Sequence, residues 1–555
     1  MLLGIDVGGT FTDAVVVDDG RVISHAKIPT THGRLLECIA EAIDCSLLGL
    51  AAENITRVAL STTIVTNAIV EKRIAKVGLF VIPGPGVEIE NLVPVPPVVL
   101  SGYTDHRGRE VAGVTEHEIA TAASRLSECE TFAISGKFAN RNPQQELQAA
   151  AWLKRETGLR HITVGSKLTG TLNFWRRTNS AYYNAAVWPC FRDFSEAVEA
   201  ALTQRNIHAP VYIVKADGGT MPLAAAQNLP VEAIFTGPAA SVFGVMTLSC
   251  PKIPAVSLDI GGTTTDIALW QNGLPLFAKQ GIAIDGYPTS IRALRLRSVG
   301  IGGDSYVRLI DGKLKIGPER LGPAMALGGK VPTVSDAFIV AGLADFGERR
   351  FAEQAMVSLG GSKVKETAVR IIDQAARHIG DAIEAFIAEW SAEPVYRVED
   401  IVRPELFTPK LLVGVGGAAS GLVPAVAQKM GVAYELPVGG AVVNAMGAAV
   451  ARPTLEVTLQ ADTAAGEYTV AECGIKAALP KSRFTMNDAQ ELSKHYLLER
   501  AEQAGIAAAD MEIVQQEEFN VVRGFSTVGK IMSCQLQIKP GVLTTIAGFS
   551  KEEWQ

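Results

Sequence analysis

With 555 residues, 48% of them hydrophobic and 20% charged, the chain is too long for one hydrophobic core and has the composition of a folded globular protein. Its formal net charge of −7 argues against the basic balance typical of nucleic-acid-binding proteins, so no nucleic-acid partner is expected. Seven scattered cysteines without a CxxC pair argue against a disulfide framework, a zinc ribbon and an iron–sulfur centre.

The amino terminus, MLLGIDVGG, lacks the basic, apolar and small-residue regions of a signal peptide. No apolar run in the sequence approaches the ~18 residues of a membrane-spanning helix. We therefore expect a cytoplasmic protein that has no membrane partner.

The first predicted element is a hairpin meander. The stretch GIDVGGTFTD (residues 4–13) predicts a strand, a tight glycine turn and a second strand, and an Asp-Asp-Gly turn then leads to a third strand. A Rossmann or Walker loop would need a helix after Gly9, and no helical pattern follows. A phosphate bound here would lie against a β-turn.

The stretch LDIGGTTTDIAL (residues 258–269) repeats this pattern, and Asn272-Gly273 predicts the next hairpin turn. One such copy alone is readily explained as a glycine-rich turn, but two matched copies indicate an internal repeat. Each copy offers an acid at a strand end, two glycines and threonine hydroxyls: Asp6, Gly8, Gly9, Thr10, Thr12 and Asp13 in the first, and Asp259, Gly261, Gly262, Thr263, Thr264, Thr265 and Asp266 in the second.

This residue set suits a nucleoside triphosphate with Mg²⁺. Carboxylates alone would repel the phosphates, so a metal ion is implied, with hard oxygen ligands. We predict Asp6, Asp259 and Asp266 as metal ligands and Asp6, Asp13 and Asp259 as catalytic residues. The glycines and threonines of both turns would bind the phosphates through amides and hydroxyls.

Further along, LLVGVGGAASGLVPAVAQKMG (residues 411–431) predicts a strand, a glycine turn and a helix. Gly416 and Gly417 would let the backbone approach the adenosine of ATP, although simple packing of strand on helix explains the pattern equally well. The next segment, GGAVVNAMGAAVA (439–451), predicts a helix of small residues that packs closely.

The duplicated hairpin resembles the phosphate loops of the actin-like ATPase superfamily. More narrowly, GIDVGGTFTDAVV resembles the amino terminus of the hydantoinase A and 5-oxoprolinase family, which includes acetone carboxylase-type subunits. Four more stretches resemble that family in order: STTIVTNAIV with Thr63, Thr66 and Asn67; KADGGTMPL; IFTGPAASVFGV with Thr236 in place of the usual Ser; and SVGIGGDSYVRL with Gly302 and Gly303 near the nucleotide.

The resemblance implies an α/β fold of two ribonuclease-H-like domains, residues 1–180 and 181–455, around a nucleotide cleft, and the remaining residues 456–555 predict a small α+β domain. It also implies an enzyme that uses ATP and Mg²⁺ to activate the carbonyl of a cyclic amide (a hydantoin, 5-oxoproline or a lactam) for ring opening. A B-type partner subunit and an oligomer are expected. A small-molecule kinase, a carboxylase-type subunit and a regulatory ATPase that acts on a partner protein remain alternatives.

Three features have open interpretations. Asp304 is either a metal ligand or base beside the phosphates or a solvated turn residue, and His106 is either a ligand or base or a surface hydrogen-bonding group. Arg292, Arg295 and Arg297 form either salt bridges on a strand face or a clamp for a substrate carboxylate.

Overall fold

A computed structural model describes residues 1–31, 34–89, 91–278, 280–392, 407–507 and 510–549. The first part of the chain contributes twelve strands in the described ranges: β1 (Leu2–Val7), β2 (Phe11–Asp18), β3 (Arg21–Pro29), β4 (Arg57–Thr62), β5 (Val77–Ile82), β6 (Val98–Val99), β7 (Tyr103–Thr104), β8 (Glu110–Ala112), β9 (Thr131–Gly136), β10 (Thr163–Val164), β11 (Val211–Val214) and β12 (Thr220–Pro222). Its helices are α1 (Leu35–Ser46), α2 (Ile64–Val70), α3 (Glu116–Arg125), α4 (Gln144–Thr157), α5 (Gly165–Leu168), α6 (Phe174–Thr203), α7 (Leu223–Ala226) and α8 (Thr236–Leu248).

The predicted meander forms the centre of the first sheet. β1, β2 and β3 are antiparallel neighbours, and β4 and β11 continue the sheet parallel to β1. Helices cover both faces, which explains why β1 reads as a nearly unbroken apolar run and not as an alternating pattern. Helix α6 spans the predicted domain boundary at residue 180, and β11 and β12 beyond it pair within this sheet.

A second part of the chain repeats this architecture. Its described strands are β13 (Ala255–Ile260), β14 (Thr265–Gln271), β15 (Leu274–Pro275), β16 (Ala283–Ile284), β17 (Tyr287–Pro288), β18 (Leu296–Val299), β19 (Val307–Ile310), β20 (Lys313–Ile316), β21 (Leu411–Val415) and β22 (Ala433–Glu435). Its helices are α9 (Val334–Ala341), α10 (Arg349–Gly360), α11 (Val364–Ala392), α12 (Ala419–Met430) and α13 (Val443–Val450).

The two sheets share one strand order. The second runs β15-β14-β13-β21-β22, with β13 to β15 antiparallel and β21 and β22 parallel to β13, just as β3-β2-β1-β4-β11 runs in the first. The repeat in the sequence is therefore a repeat of the fold, and the predicted α/β class with two related halves is confirmed.

Helices α8 and α13 lie between the two sheets and join them. One buried cluster combines residues of both helices with Val15 of β2 and with Trp270 and Val413 of the second sheet. Small residues permit this approach, because a Cβ atom added to Gly447 would overlap the carbonyl oxygen of Ala240. The predicted close packing of the small-residue helix is present.

The last part of the chain forms an antiparallel sheet of order β25-β24-β23-β27-β26, from β23 (Glu456–Asp462), β24 (Glu467–Val470), β25 (Ile475–Ala478), β26 (Met511–Arg523) and β27 (Ser526–Ile538). Helix α14 (Met486–Gln503), predicted over 487–505, packs on it around a separate core. The predicted small α+β unit is thus present. The final strand, β28 (Gly548–Phe549), instead pairs with β3 and covers the edge of the first sheet.

A four-stranded parallel sheet of order β10-β9-β5-β6, packed against α3 and α4, accompanies the first sheet. No helix among the described residues combines the length and apolarity needed to cross a bilayer.

Candidate nucleotide site

The two glycine turns have the same backbone geometry. The amide of Gly8 donates to the carbonyl of Phe11 at 3.0 Å, and the amide of Gly261 donates to the carbonyl of Thr264 at the same distance. In each hairpin, the two predicted acids face each other across the ladder, Asp6 opposite Asp13 and Asp259 opposite Asp266. The structure therefore places equivalent chemical groups at the end of both sheets.

Asn444, near the start of α13, connects the two turns. Its Nδ2 donates to Asp6 Oδ2 at 3.2 Å, and its side chain lies close enough to Asp259 to lower the pKa of that carboxyl. Since Asp6 belongs to the first sheet and Asp259 to the second, one amide holds both acids around a common point. Asn444 Oδ1 is buried and has no hydrogen-bond partner among the described residues, so it can accept a bond from a bound molecule.

The carboxylates at this point resist ionisation. Burial raises the pKa of Asp6 to about 7, with further increases from Asp13 and Asp259, although Ser61 Oγ donates to Asp6 Oδ1 at 2.5 Å and lowers it. Burial and the charge of Asp259 likewise raise the pKa of Asp266 to about 7. A divalent cation would relieve this crowding of negative charge.

Asp13 is held differently from the other acids. Both of its carboxylate oxygens accept bonds from Lys27 Nζ, at 2.9 and 2.8 Å, and Lys27 also donates to the carbonyl of Ala441 at 3.3 Å. Burial raises the pKa of Asp13, and Lys27 opposes that increase. The structure thus makes Asp13 a partner of Lys27, which adds one cation to the site.

The candidate phosphate ligands divide into two groups. The exposed or half-buried ones lie in the open turns: Gly8, Gly9, Thr10, Gly261, Gly262, Thr263 and Thr264. Thr12 and Thr265 are buried instead, because they lie in β2 and β14 and not in the open turns. Thr12 Oγ1 bonds to Thr30 Oγ1 at 3.0 Å and Thr265 Oγ1 donates to the carbonyl of Ile301 at 2.7 Å, so both hydroxyls hold neighbouring segments of the protein.

The glycine turn at Gly302 and Gly303 supports the second hairpin from behind. Gly303 donates its amide to the carbonyl of Gly261 at 2.9 Å, and a Cβ on Gly302 would lie 2.6 Å from that same oxygen. Both glycines are buried. Asp304, the next residue, pairs with Arg320 at 2.9 Å; burial raises its pKa, and the guanidinium lowers it.

The turn predicted for adenosine lies beside the second acid. Gly416 has φ +89°, and an added Cβ would lie 2.5 Å from Asp259 Oδ1, so only glycine fits here. Gly417 is exposed with open space around it. Backbone on this side of Asp259 is therefore accessible to a flat group.

The other family-like threonines brace the first turn. Thr236 Oγ1 donates to the carbonyl of Thr62 at 2.7 Å and accepts from its amide at 2.8 Å, and Thr62 pairs with Val7 at the end of β1. Thr66 Oγ1 accepts from the amide of Phe235 at 3.0 Å. These contacts hold the start of α8 against the strand that carries Asp6.

The remaining polar candidates do not join this site. Exposed His106 lies in the turn between β7 and β8, where its carbonyl accepts from Arg141. Arg297 pairs with Glu389 and lies, like Arg295, over Phe386, whereas Arg292 lies over Phe277 and reaches Glu512 at 3.5 Å. The surroundings of Arg292 therefore differ from those of Arg295 and Arg297, and the three guanidinium groups do not form one clamp.

The donor set fits Mg²⁺ bound together with phosphates. Among the described residues, no group of three or more His, Cys, Asp or Glu side chains is placed to hold a metal ion by itself. Mg²⁺ commonly uses one or two carboxylates with waters and phosphate oxygens, and Asp6 and Asp259 around the open Asn444 oxygen match that requirement. The sequence reasoning missed Asn444, Lys27 and Ser61; the only signal for Asn444 is that it is the one polar side chain in GGAVVNAMGAAVA.

Comparison with known proteins agrees with this geometry. The caprolactamase subunit alpha of Pseudomonas jessenii is 27% identical over 472 residues, which is 77% of this chain and 67% of the relative. The 5-oxoprolinase PfmaA of Pestalotiopsis fici is 27% identical over 52% of this chain and 23% of its own length. This chain thus spans about two thirds or less of these curated relatives.

The structure of nucleotide-free acetone carboxylase has the same fold, with a TM-score of 0.68 and 18% identity over 98% of this chain and 88% of that one. The family described as hydantoinase/oxoprolinase matches residues 177–457, and its N-terminal region matches residues 2–157. Two matched turns on two matched sheets, together with these alignments, lead to one conclusion: the chain belongs to the hydantoinase/oxoprolinase family.

Proposed function

We propose that this protein uses ATP to activate the carbonyl of a cyclic amide (a hydantoin, 5-oxoproline or a lactam) for ring opening. The observation that carries the proposal is the joining of two equivalent acid-bearing glycine turns by Asn444. Family membership supports the choice of chemistry, since relatives are named caprolactamase and 5-oxoprolinase.

In this proposal, ATP lies between the two turns. The amides and hydroxyls that follow Gly8 and Gly261, as far as Thr10 and Thr264, bind the phosphates, and Gly416 and Gly417 contact the nucleoside. Asp6 and Asp259 hold Mg²⁺ and position water, with Asp266 opposite Asp259 in the same hairpin. The metal ion supplies charge neutralisation at the transferring phosphoryl group.

The chemistry needs activation because an amide carbonyl is unreactive and its nitrogen leaves poorly. The amide oxygen forms a bond to the γ-phosphorus while the bond from that phosphorus to ADP breaks. Water then adds to the activated carbon, the ring C–N bond breaks as the nitrogen takes up a proton, and hydrolysis of the acyl phosphate releases phosphate. The turns contribute orientation and electrostatic stabilisation, which are the main demands of phosphoryl transfer.

A partner subunit belongs to the proposal. The caprolactamase relative is named as an alpha subunit, and this chain spans 67% of its length. The hydrolytic steps after phosphorylation are assigned to a B-type partner, and the active form is an oligomer.

A carboxylase-type subunit is the second candidate, and the fold shared with acetone carboxylase favours it. In that case, a ketone would stimulate ATP turnover and no cyclic amide would. A small-molecule kinase would instead leave a stable phosphorylated product, and a regulatory ATPase would respond to a protein partner alone.

The test is Mg²⁺-dependent ATP hydrolysis by the protein, alone and with a candidate partner, in the presence of 5-oxoproline, hydantoins, lactams and small ketones. We expect a cyclic amide to stimulate ATP hydrolysis. This stimulation should be lost in Asp259→Asn and kept in Asp311→Asn. Asp311 is a suitable control because it is an exposed carboxylate in the turn between β19 and β20. Stimulation by ketones alone would favour the carboxylase-type subunit, and a lack of nucleotide binding would refute the proposal.

A further inference from the structure

A polar cavity outside the nucleotide turns lies where three parts of the chain meet. Its walls come from the end of β11, from the segment before β18 and from the start of β23. Its space of about 450 Å³ includes open solvent. The charged and hydroxyl groups that matter here are Lys215, Asp217, Glu232, Ser290, Arg292 and Glu456.

One cation in this cavity is fully matched by carboxylates. Lys215 Nζ lies 3.4 Å from Asp217 Oδ2 and 3.3 Å from Glu232 Oε2. Although burial lowers the pKa of Lys215, these two carboxylates and Glu456 raise it above its usual value. Asp217 also accepts bonds from the amide of Gly219 and from Thr454. Lys215, Asp217 and Glu232 therefore pair with one another and need no ligand to balance their charges.

Glu456 and Arg292 retain unused hydrogen-bonding capacity. In the described part of the chain, Glu456 accepts a side-chain bond only at Oε2, from Gln535 at 3.1 Å. Arg292 Nε is buried without a hydrogen-bond partner, a costly arrangement unless a bound group accepts its proton. Ser290 Oγ, also in the lining, accepts a bond from Thr171 at 3.3 Å and keeps its own proton to donate.

We propose that this cavity is the amide-binding pocket of the function proposed above, on which the inference rests, and that it selects neutral cyclic amides over those that carry a carboxylate. A cyclic amide presents its N–H and C=O on the same edge. Glu456 accepts from the N–H, and Arg292 Nε and Ser290 donate to the C=O.

The preference for neutral ligands follows from charge. The cavity holds three carboxylates and two cations, Lys215 is already shared by two of the carboxylates, and Glu512 faces Arg292 at 3.5 Å. An added carboxylate would find no unmatched cation and would be repelled in a partly desolvated space. Burial and Glu232 raise the pKa of Glu456 to about 7, so at neutral pH its carboxyl is available as an acceptor and as a donor.

The cavity lies near one end of the first sheet, as the first glycine turn does. Lys215 directly follows the end of β11, and Asp6 lies near the end of β1, with β4 between them in the same sheet. Two strand spacings make this separation roughly 10 Å. The segment that carries Glu232 also continues into Thr236, whose hydroxyl bonds to Thr62 beside the first turn. Lys215 therefore lies at the same end of the first sheet as Asp6.

The test compares 2-pyrrolidinone with 5-oxoproline, because they differ only in a carboxylate. Binding of each is measured by calorimetry on the protein saturated with Mg²⁺ and a non-hydrolysable ATP analogue. We expect 2-pyrrolidinone to bind about tenfold or more tightly than 5-oxoproline. Glu456→Ala should abolish binding of both compounds. Glu456→Gln removes one negative charge and should reduce the difference in affinity between 2-pyrrolidinone and 5-oxoproline. Glu366→Gln, on the exposed face of α11, is the matched control.

Equal or tighter binding of 5-oxoproline by the unaltered protein would overturn the inference, and so would unchanged binding in Glu456→Ala or the absence of binding of both compounds. Retained binding of the ATP analogue in each variant establishes that the fold is intact. Failure of this pocket can be distinguished from failure of the proposed function. If the Glu456→Ala variant keeps the full amide-stimulated ATP turnover, the function stands and only the assignment of this pocket is rejected.

Discussion

Replacing Asn444 tests the joining of the two turns most directly. The Asn444→Ala substitution removes an amide that donates to Asp6 and that lowers the pKa of both Asp6 and Asp259. A hydrogen bond to a charged group contributes about 1.5–3 kcal/mol, and one pKa unit corresponds to about 1.4 kcal/mol. Loss of this bond should therefore raise the pKa of Asp6 from about 7 by about one unit or more.

The consequence is a shift in the pH dependence of nucleotide binding. Mg²⁺ binds the ionised carboxylate, so affinity should rise with pH through the pKa of Asp6. With a pKa of about 7, half of the Asp6 carboxyls are ionised at neutral pH. After an increase of about one unit, only about a tenth are ionised, and affinity at pH 7 should fall about fivefold but recover at about pH 9.

The assay is the affinity for Mg²⁺ with a non-hydrolysable ATP analogue, measured by calorimetry between about pH 6 and pH 9. Asn272→Gly is the control, because Asn272 is exposed in a hairpin turn at φ +53°, where glycine fits. An unchanged midpoint in Asn444→Ala would refute the role of this amide. An affinity loss of the same size at every pH would show that it acts on position and not on ionisation.

Other variants test the surrounding geometry. The folded-state pKa values of Asp6 and Asp266 are about 7, above the unfolded value of 3.8. The ligand-free protein should therefore lose stability as the pH rises from about 4 to 7. Thermal unfolding across this pH range should show a smaller loss of stability in Asp6→Asn and in Asp266→Asn. Gly416→Ala should abolish binding of the ATP analogue, whereas Gly380→Ala in α11, where an added Cβ meets no atom within 4 Å, should retain it; equal affinities would contradict the assigned contact. Gly447→Ala should lower the free energy of unfolding by about 1–3 kcal/mol through overpacking, and an unchanged denaturant midpoint would argue against close contact of α8 and α13.

The sequence by itself determined the repeated hairpins, the α/β class, the small-residue helix and the helix of the last sheet. These features depend on neighbours within a few residues, such as the glycines after Asp6 and Asp259 and the apolar runs before them. The family resemblance rested on the same local stretches. The assignment of nucleotide and metal ligands remains a prediction.

Only the tertiary structure decided which groups share a site. Asn444 and Lys27 reach the acids through packing of α13 between the sheets, a contact that no local pattern encodes. Strand pairing turned Thr12 and Thr265 away from the open turns, and Arg320 partnered Asp304. The cavity that joins Lys215 to Glu456 likewise depends on the last sheet docking against the first, because side chains from distant segments become neighbours only when the layers pack.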